Sequence, residues 1–516
     1  MILDARRSAD ESELLAGQPG IEAHHKKPQV RPLPSARFGN QRLTGHPSCT
    51  SILDQRGGKT MKTVNRSFVW MSLVIFLFIS AAAASAQTKA RPVALKGARL
   101  IDGTGKPAIE NAVLIIEGDR VVAAGKAGSV PIPKDADVQD VSGKTIMPAL
   151  INLHGHLGLS KNGADVAEEY TQENVVNQAK KYLAYGVATV ASFGQDDDEI
   201  YKVRDAQQAG TLGGARVFTG GHGFVEYTGK TYTRDHRYRP QTPDEARADV
   251  RELAGHHPDF VKMWVDDSLG HNTKIKPEVY QAIIDEAHKQ HIRVFAHEFY
   301  LADAKALLAA GLDGFAHSIR DQAVDVDLMQ TMKARNVFLI PTLVRDEVLF
   351  AYADNLKWLD DPFFKAGYDP AAMALARGPE NVEKGRKDPD IAKYRAGLEM
   401  AKKNLKTLSD NGVKIAFGTD SGIPTRFPGY FEHRELQLMV EAGLTPMQAI
   451  VAATGTNAEI LGGAKEFGTL QPGRKADFLV LDANPLDDIH YTEKLAAVWQ
   501  SGKIVPSVSV KAMSGN

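Results

Sequence analysis

Apolar positions recur along this chain in two rhythms. Between residues 92 and 146 the apolar runs are short and separated by turn residues. Residues 93–96 and 98–101 read as two strands, followed by the turn-prone Asp102-Gly103-Thr104-Gly105. Residues 112–116 and 120–124 flank Glu117-Gly118-Asp119, a hairpin signal. From Met147 onward, apolar runs alternate with amphipathic stretches of helical length. The runs fall at 146–153, 187–191, 216–219, 260–265, 293–296, 314–316, 338–341 and 414–417. Segments such as 277–291 and 302–310 between them carry helical periodicity. Eight βα repeats of this kind predict an α/β fold with a parallel sheet closed as a (β/α)8 TIM barrel. Residues 343–409 are long, charged and helical, and predict an extension covering the barrel mouth. Thr445-Pro446-Met447-Gln448 is a helix start, with Thr as cap and Pro at the first helical position. Strand character returns at 477–481 and 497–500. The two ends of the mature chain are therefore expected to meet as one small β-sandwich.

The expected organisation is a barrel at 147–464, with 87–146 and 465–516 forming the β-sandwich. The segment 61–86 has the pattern of a secretory leader. It opens with the basic Met61-Lys62-Thr63-Val64-Asn65-Arg66, continues through an apolar run at 68–79, and ends in Ala84-Ser85-Ala86 before Gln87. An apolar run of that length is short for a membrane span, and the competing reading is an uncleaved anchor. Export to the periplasm or beyond is the expectation, with no stable membrane anchor after cleavage. Residues 1–60 are rich in Arg, Pro, Gly and Ser without apolar periodicity. They read as a disordered extension or a start-site artefact.

Composition narrows the chemistry. The 516 residues carry a formal net charge of −1, which gives no electrostatic footprint for nucleic acid. A small-molecule substrate is the expected partner, and homo-oligomerisation stays open. Cys49 is the only cysteine, so thiolate metal sites are excluded and any metal must rest on His, Asp, Glu or a modified Lys.

Six residues fall where predicted barrel strands end. His154 and His156 stand two apart in Leu153-His154-Gly155-His156, so both point to one side of a strand. Lys262 sits inside the apolar run Phe260-Val261-Lys262-Met263-Trp264-Val265. It reads either as a snorkelling lysine or as one of lowered pKa that takes up carbon dioxide. His297, His317 and Asp420 close the fifth, sixth and eighth runs. Each alone has an ordinary explanation as a structural histidine or turn aspartate. Their convergence on the C-terminal face of one barrel is what a metal site needs. His222, Tyr227 and Arg345 are weaker candidates for substrate contacts, and His433 reads as structural.

With these motifs the chain resembles the amidohydrolase superfamily, in the imidazolonepropionase-like and prolidase-related binuclear branch. The H-x-H after Met147-Pro148-Ala149-Leu150-Ile151-Asn152, the strand-four Lys, the two later His and Gly418-Thr419-Asp420 carry the resemblance. Gly468-Thr469-Leu470-Gln471-Pro472-Gly473 resembles the flanking β-domain of that branch. The resemblance implies two divalent metal ions, zinc first among candidates. His154, His156 and Asp420 would bind the more buried ion and His297 and His317 the other. Carboxylated Lys262 and a hydroxide would bridge them, and Asp420 would shuttle the proton. It implies hydrolysis of an amide C–N bond, in a dipeptide or N-acyl amino acid. A lactonase, esterase or phosphotriesterase on the same centre, a single-metal deaminase, and a non-catalytic binding barrel remain as alternatives.

Overall fold

The computed structural model describes residues 91–165, 170–228, 236–354 and 357–509. The leader-like segment 61–86 and the stretch 1–60 lie outside the described residues. Among the described residues, parallel strands occur at the predicted places: Leu150–Gly155, Val187–Ser192, Arg216–Thr219, Val261–Trp264, Val294–His297, Gly314–Ala316, Phe338–Ile340 and Lys414–Ile415. The first three pair with one another and the last five pair consecutively. Backbone hydrogen bonds join the two groups at both seams. Leu153 N–H donates to Phe417 O at 3.0 Å, and Asp259 N–H donates to Thr219 O at 2.8 Å. Parallel bridges from Gly155 to Ser421 and from Phe224 to Met263 extend both seams. The arrangement is a TIM-barrel-like α/β fold.

The ring is filled rather than hollow. Leu153, Phe193, Phe260, Phe295, Phe338 and Ile340 interlock inside it, as barrel interiors require. Outside, each helix buries one stripe. Pro277–Lys289 buries Val279, Ile283 and Ala287 along with neighbours one position away, the spacing of one helical face. Threonine caps set the helix starts, with Thr171 and Thr242 accepting backbone N–H groups from Asn174 and Glu245. The predicted cap at Thr445 also forms, as a capping box with Gln448.

The strands that flank the barrel, from Val93–Leu100 to Lys503–Val505, pair in one eight-stranded sheet. The two expected strands at 93–96 and 98–101 are one strand, Val93–Leu100. Its register shifts around Gly97, whose φ is +89°. The bulge lets its first half pair with Asp137–Asp140 and its second half with Thr145–Pro148. That partner exchange makes the sheet continuous, and apolar residues are buried on both of its faces.

Residues 343–409 are helical, as expected. Several of the short helices open on Pro, with Asp361 and Asp369 as caps. Their aromatic side chains pack on the loop after the eighth strand. The Phe427 ring lies 4.9 Å from Phe364 and 4.8 Å from Tyr368. The extension thus braces the loop that carries Asp420.

Candidate metal centre and active site

The strand ends bring four histidines, a lysine and an aspartate together. His154 and His156 leave the first strand on the same side, because side chains two apart on a strand share a face. Both Nε2 atoms face Asp420 Oδ1, at 3.4 Å and 2.8 Å. The ligand atoms of His154, His317 and Asp420 lie within 4.8 Å of one another, and all three residues are buried. The His317 ring stands 4.8 Å from that of His154 and 4.1 Å from that of His297. His317 (φ +81°), Thr342 (φ +49°) and Asp420 (φ +57°) are all left-handed at strand ends. Non-glycine residues hold that conformation only where their surroundings enforce it.

Burial sets the charge states. It holds the His154, His156 and His317 imidazoles below their usual range and brings His297 down to about 4. All four are neutral near pH 7, the form that binds metal. Burial pushes Asp420 upward, but Arg426 and the two histidines outweigh it and hold the carboxylate well below its usual range. Lys262 is fully buried, and burial brings its amine down to about 7, with Asp420 opposing and Arg345 assisting. Its Nζ sits 5.0 Å above the Phe193 ring and 4.9 Å from that of Trp264.

The donors fit divalent cations. His154 Nδ1, His156 Nδ1 and Lys262 Nζ are buried without a hydrogen-bond partner. Buried polar groups in folded proteins are normally partnered, and the Nε2 atoms of both histidines, which face Asp420 Oδ1, are the ones placed to share an ion with it. His317 Nδ1 is engaged by Thr342 Oγ1 at 2.6 Å and His297 Nε2 by Asp266 Oδ2 at 2.8 Å. Each of these rings therefore keeps one nitrogen for an ion, with its orientation fixed from the other side.

The His222 ring stacks at 5.4 Å on His236, and its Nε2 is 3.8 Å from Asp198. Asp198 also faces His256 Nδ1 at 3.7 Å, which makes a His/Asp patch there. Tyr227 is 45% exposed. Arg345 does reach the site, with Nε 3.7 Å from Asp420 Oδ2 and an ion pair to Asp346 at 2.9 Å. His433 is structural, bonded to Thr492 Oγ1 at 3.0 Å and Tyr185 O at 2.9 Å. Sequence reasoning missed Asp266, Arg426 and Glu432. Arg426 pairs directly with Asp420 Oδ2. Asp266 was legible only as an acidic residue two positions beyond the strand-four Trp264.

His297 yields a pH expectation for chelator-treated protein. Its folded pKa of about 4 lies below the ordinary 6.5. Between those values the unfolded chain binds a proton that the folded one does not, so stability falls as pH falls. Asp196 and Glu435, raised by burial to about 7 and about 8, titrate in the opposite sense. The clean reading is therefore a difference. The urea-determined stability advantage of wild type over His297→Gln should shrink by roughly 2–3 kcal/mol between pH 7 and pH 4.5. A constant difference would mean that His297 is not buried neutral.

Comparison with known proteins agrees with this geometry. Residues 145–505 match the model of the Amidohydrolase family. The chain is 26% identical over 448 residues to an ochratoxinase of Aspergillus niger, covering 78% of this chain and 85% of that one. It is 25% identical over 430 residues to an imidazolonepropionase of Streptomyces griseus, covering 78% and 95%. The solved structure of a putative prolidase from Bifidobacterium longum superposes with a TM-score of 0.64 at 26% identity, covering 83% and 98%. By this match across most of its length, with the strand-end cluster at the mouth of its barrel, the chain belongs to the amidohydrolase family.

Proposed function

We propose that this chain is an exported, binuclear metal-dependent amidohydrolase that cleaves the amide C–N bond of a small substrate, a dipeptide or an N-acyl amino acid. The observation that carries the reading is the ionised Asp420 carboxylate among neutral buried histidines, beside an unpartnered buried lysine. His154, His156, Asp420, His297 and His317 would hold the two ions, and a carboxylated Lys262 would add an anionic oxygen ligand. Zinc suits histidine and carboxylate donors. Bound there, the ions supply Lewis acidity to the substrate carbonyl and bring the pKa of a coordinated water toward neutrality.

The protein's own groups supply the rest. Asp420 is ionised at neutral pH and stands ready as a base. As the new C–O bond forms, Asp420 takes the proton of the attacking water. It returns that proton to the amide nitrogen as the C–N bond breaks, so the amine leaves neutral. Arg345 and Arg426 lie on the Oδ2 side of Asp420. A guanidinium there can orient a substrate carboxylate, the group shared by dipeptides and N-acyl amino acids. Phe193 and Trp264 keep the amine end of Lys262 away from water. The leader-like segment 61–86 supports export, and the ochratoxinase and prolidase relatives support an amide substrate.

Elemental mass spectrometry on the chain from Gln87, produced with zinc and bicarbonate, tests this reading. About two ions per chain are expected, with turnover of dipeptides or N-acyl amino acids exceeding that of lactones. One ion per chain would favour a single-metal deaminase. A folded protein that refuses zinc would remove the catalytic reading.

A further inference from the structure

We infer that Glu432 is the positioning residue of the inner half of this centre: it fixes the backbones of His154, His156 and Asp420 at metal-binding spacing. Glu432 lies on the helix Tyr430–Glu441 and is fully buried. No lysine or arginine pairs with it among the salt bridges of the described residues. Instead its Oε1 draws in three polar side chains: Asn152 Nδ2 at 2.6 Å, Thr419 Oγ1 at 2.6 Å and Ser421 Oγ at 2.7 Å. Its Oε2 accepts the Gly429 N–H at 2.5 Å.

Each of the three side chains adjoins one or more of the inner residues. Asn152 Oδ1 accepts the backbone N–H of His154 at 2.9 Å. Thr419 and Ser421 flank Asp420, whose backbone is left-handed. The N–H groups of Thr419 and Asp420 both donate to His154 O, at 3.0 Å and 2.6 Å. Ser421 O accepts the His156 N–H at 2.7 Å. One carboxylate therefore ties the end of the first strand to the end of the eighth, the seam across which His154, His156 and Asp420 face each other. Asn152 and Ser421 also hydrogen-bond Thr419 directly, at 2.9 Å and 2.8 Å, but Glu432 is the acceptor on which all three converge and the one that anchors them to the helix. Without it, the left-handed turn at Asp420 could relax and carry its carboxylate away from the two imidazoles. Hydrogen bonds that converge on one buried group hold geometry more firmly than isolated ones.

The inference rests on the metal-binding reading above, and its test separates the two. Zinc affinity is measured by chelator competition on the whole protein for wild type, Glu432→Gln, Ser421→Ala and His433→Asn. The cobalt(II) visible spectrum of each is recorded alongside. Glu432→Gln should bind one of the two ions 10- to 100-fold more weakly, the usual effect of removing an outer partner of a metal site. Its cobalt band should also shift. Ser421→Ala, which removes a single donor, should show a smaller loss in the same direction, and it carries the test if Glu432→Gln does not fold. His433→Asn disturbs the same helix away from the site and should leave zinc affinity unchanged. Wild-type affinity and spectrum in both Glu432→Gln and Ser421→Ala would overturn the role. Equal weakening in His433→Asn would also overturn it, since helix destabilisation would then suffice. Failure of wild type to bind zinc would instead overturn the metal-binding reading itself.

Discussion

Replacing Lys262 with Ala should reduce the bound metal from about two ions per chain to one or fewer and lower turnover by roughly 10³-fold, about 4 kcal/mol of barrier. The reason lies in the position of the amine. Lys262 is fully buried, its Nζ has no hydrogen-bond partner, and aromatic rings line its approach. A permanently charged amine there would cost on the order of several kcal/mol. With its pKa brought down to about 7, half of it is neutral at that pH. The neutral amine is the form that attacks carbon dioxide: an N–C bond forms, a proton leaves, and an anionic carbamate results. That product suits the site better than either parent form, because two cations would neutralise it. Loading should therefore depend on pH with a definite sign. Metal-free protein given zinc at the same dissolved carbon dioxide concentration should activate about tenfold faster at pH 8 than at pH 6, following the neutral fraction of an amine with this pKa. Lys262→Arg, which cannot form a carbamate, should behave like Lys262→Ala. Unchanged metal content and turnover in either variant would make Lys262 a packing residue.

The parts of this site legible in the sequence are those where local pattern and chemistry coincide. His154 and His156 stand out because alternation on a strand puts both on one face. Lys262 stands out because a lysine interrupts an apolar run. His297, His317 and Asp420 stand out because each closes such a run. Seven of the eight runs marked barrel strands to within two residues, while the first, 146–153, ran across Thr145–Pro148 of the eight-stranded sheet and Leu150–Gly155 of the barrel. Even Lys414–Ile415, where the ladder spans two residues, is extended by Ala416 N–H donating to Leu339 O at 2.8 Å. The residues that were not legible act across sequence distance. Glu432 meets Asn152 280 positions away, and locally it looks like the third residue of a helix-capping sequence. That reading is also true, since it accepts the Gly429 N–H. Asp266 and Arg426 sit in loops, where polar residues carry no periodic signal. The single strand at Val93–Leu100 was read as two because Gly97 looks like a break. In the structure it is a bulge at which the strand changes partners. His222 read as a weaker candidate for a substrate contact, and its ring stacks on His236 and faces Asp198.

Asp420→Asn should retain most of the metal and lose turnover by roughly 10³- to 10⁴-fold, the upper range for loss of a general acid–base group. The substitution isolates the proton from the fold. Asn is nearly isosteric, and it tolerates the left-handed backbone that Asp420 adopts at φ +57°. Thr419, Ser421 and the N–H bonds to His154 O stay in place. Oδ1, which faces His154 and His156, can remain an oxygen. The new amide NH₂ would then face Arg426, donor against donor, so that contact weakens while the metal-facing side persists. The amide cannot take a proton from water or pass one to a departing nitrogen. The deficit should therefore depend on the leaving group. It should be largest for alkyl amides, which must be protonated to leave. It should be smaller for an activated aryl ester of the same acyl group, whose phenoxide leaves unprotonated. Metal content by elemental mass spectrometry and rates for the two substrates decide the matter together. A uniform loss on both substrates, accompanied by loss of one ion, would make Asp420 a ligand alone. A variant with full amide turnover would place the proton shuttle elsewhere. The guanidinium groups on its Oδ2 flank, Arg345 and Arg426, offer N–H donors and no acceptor, so neither replaces it as the base.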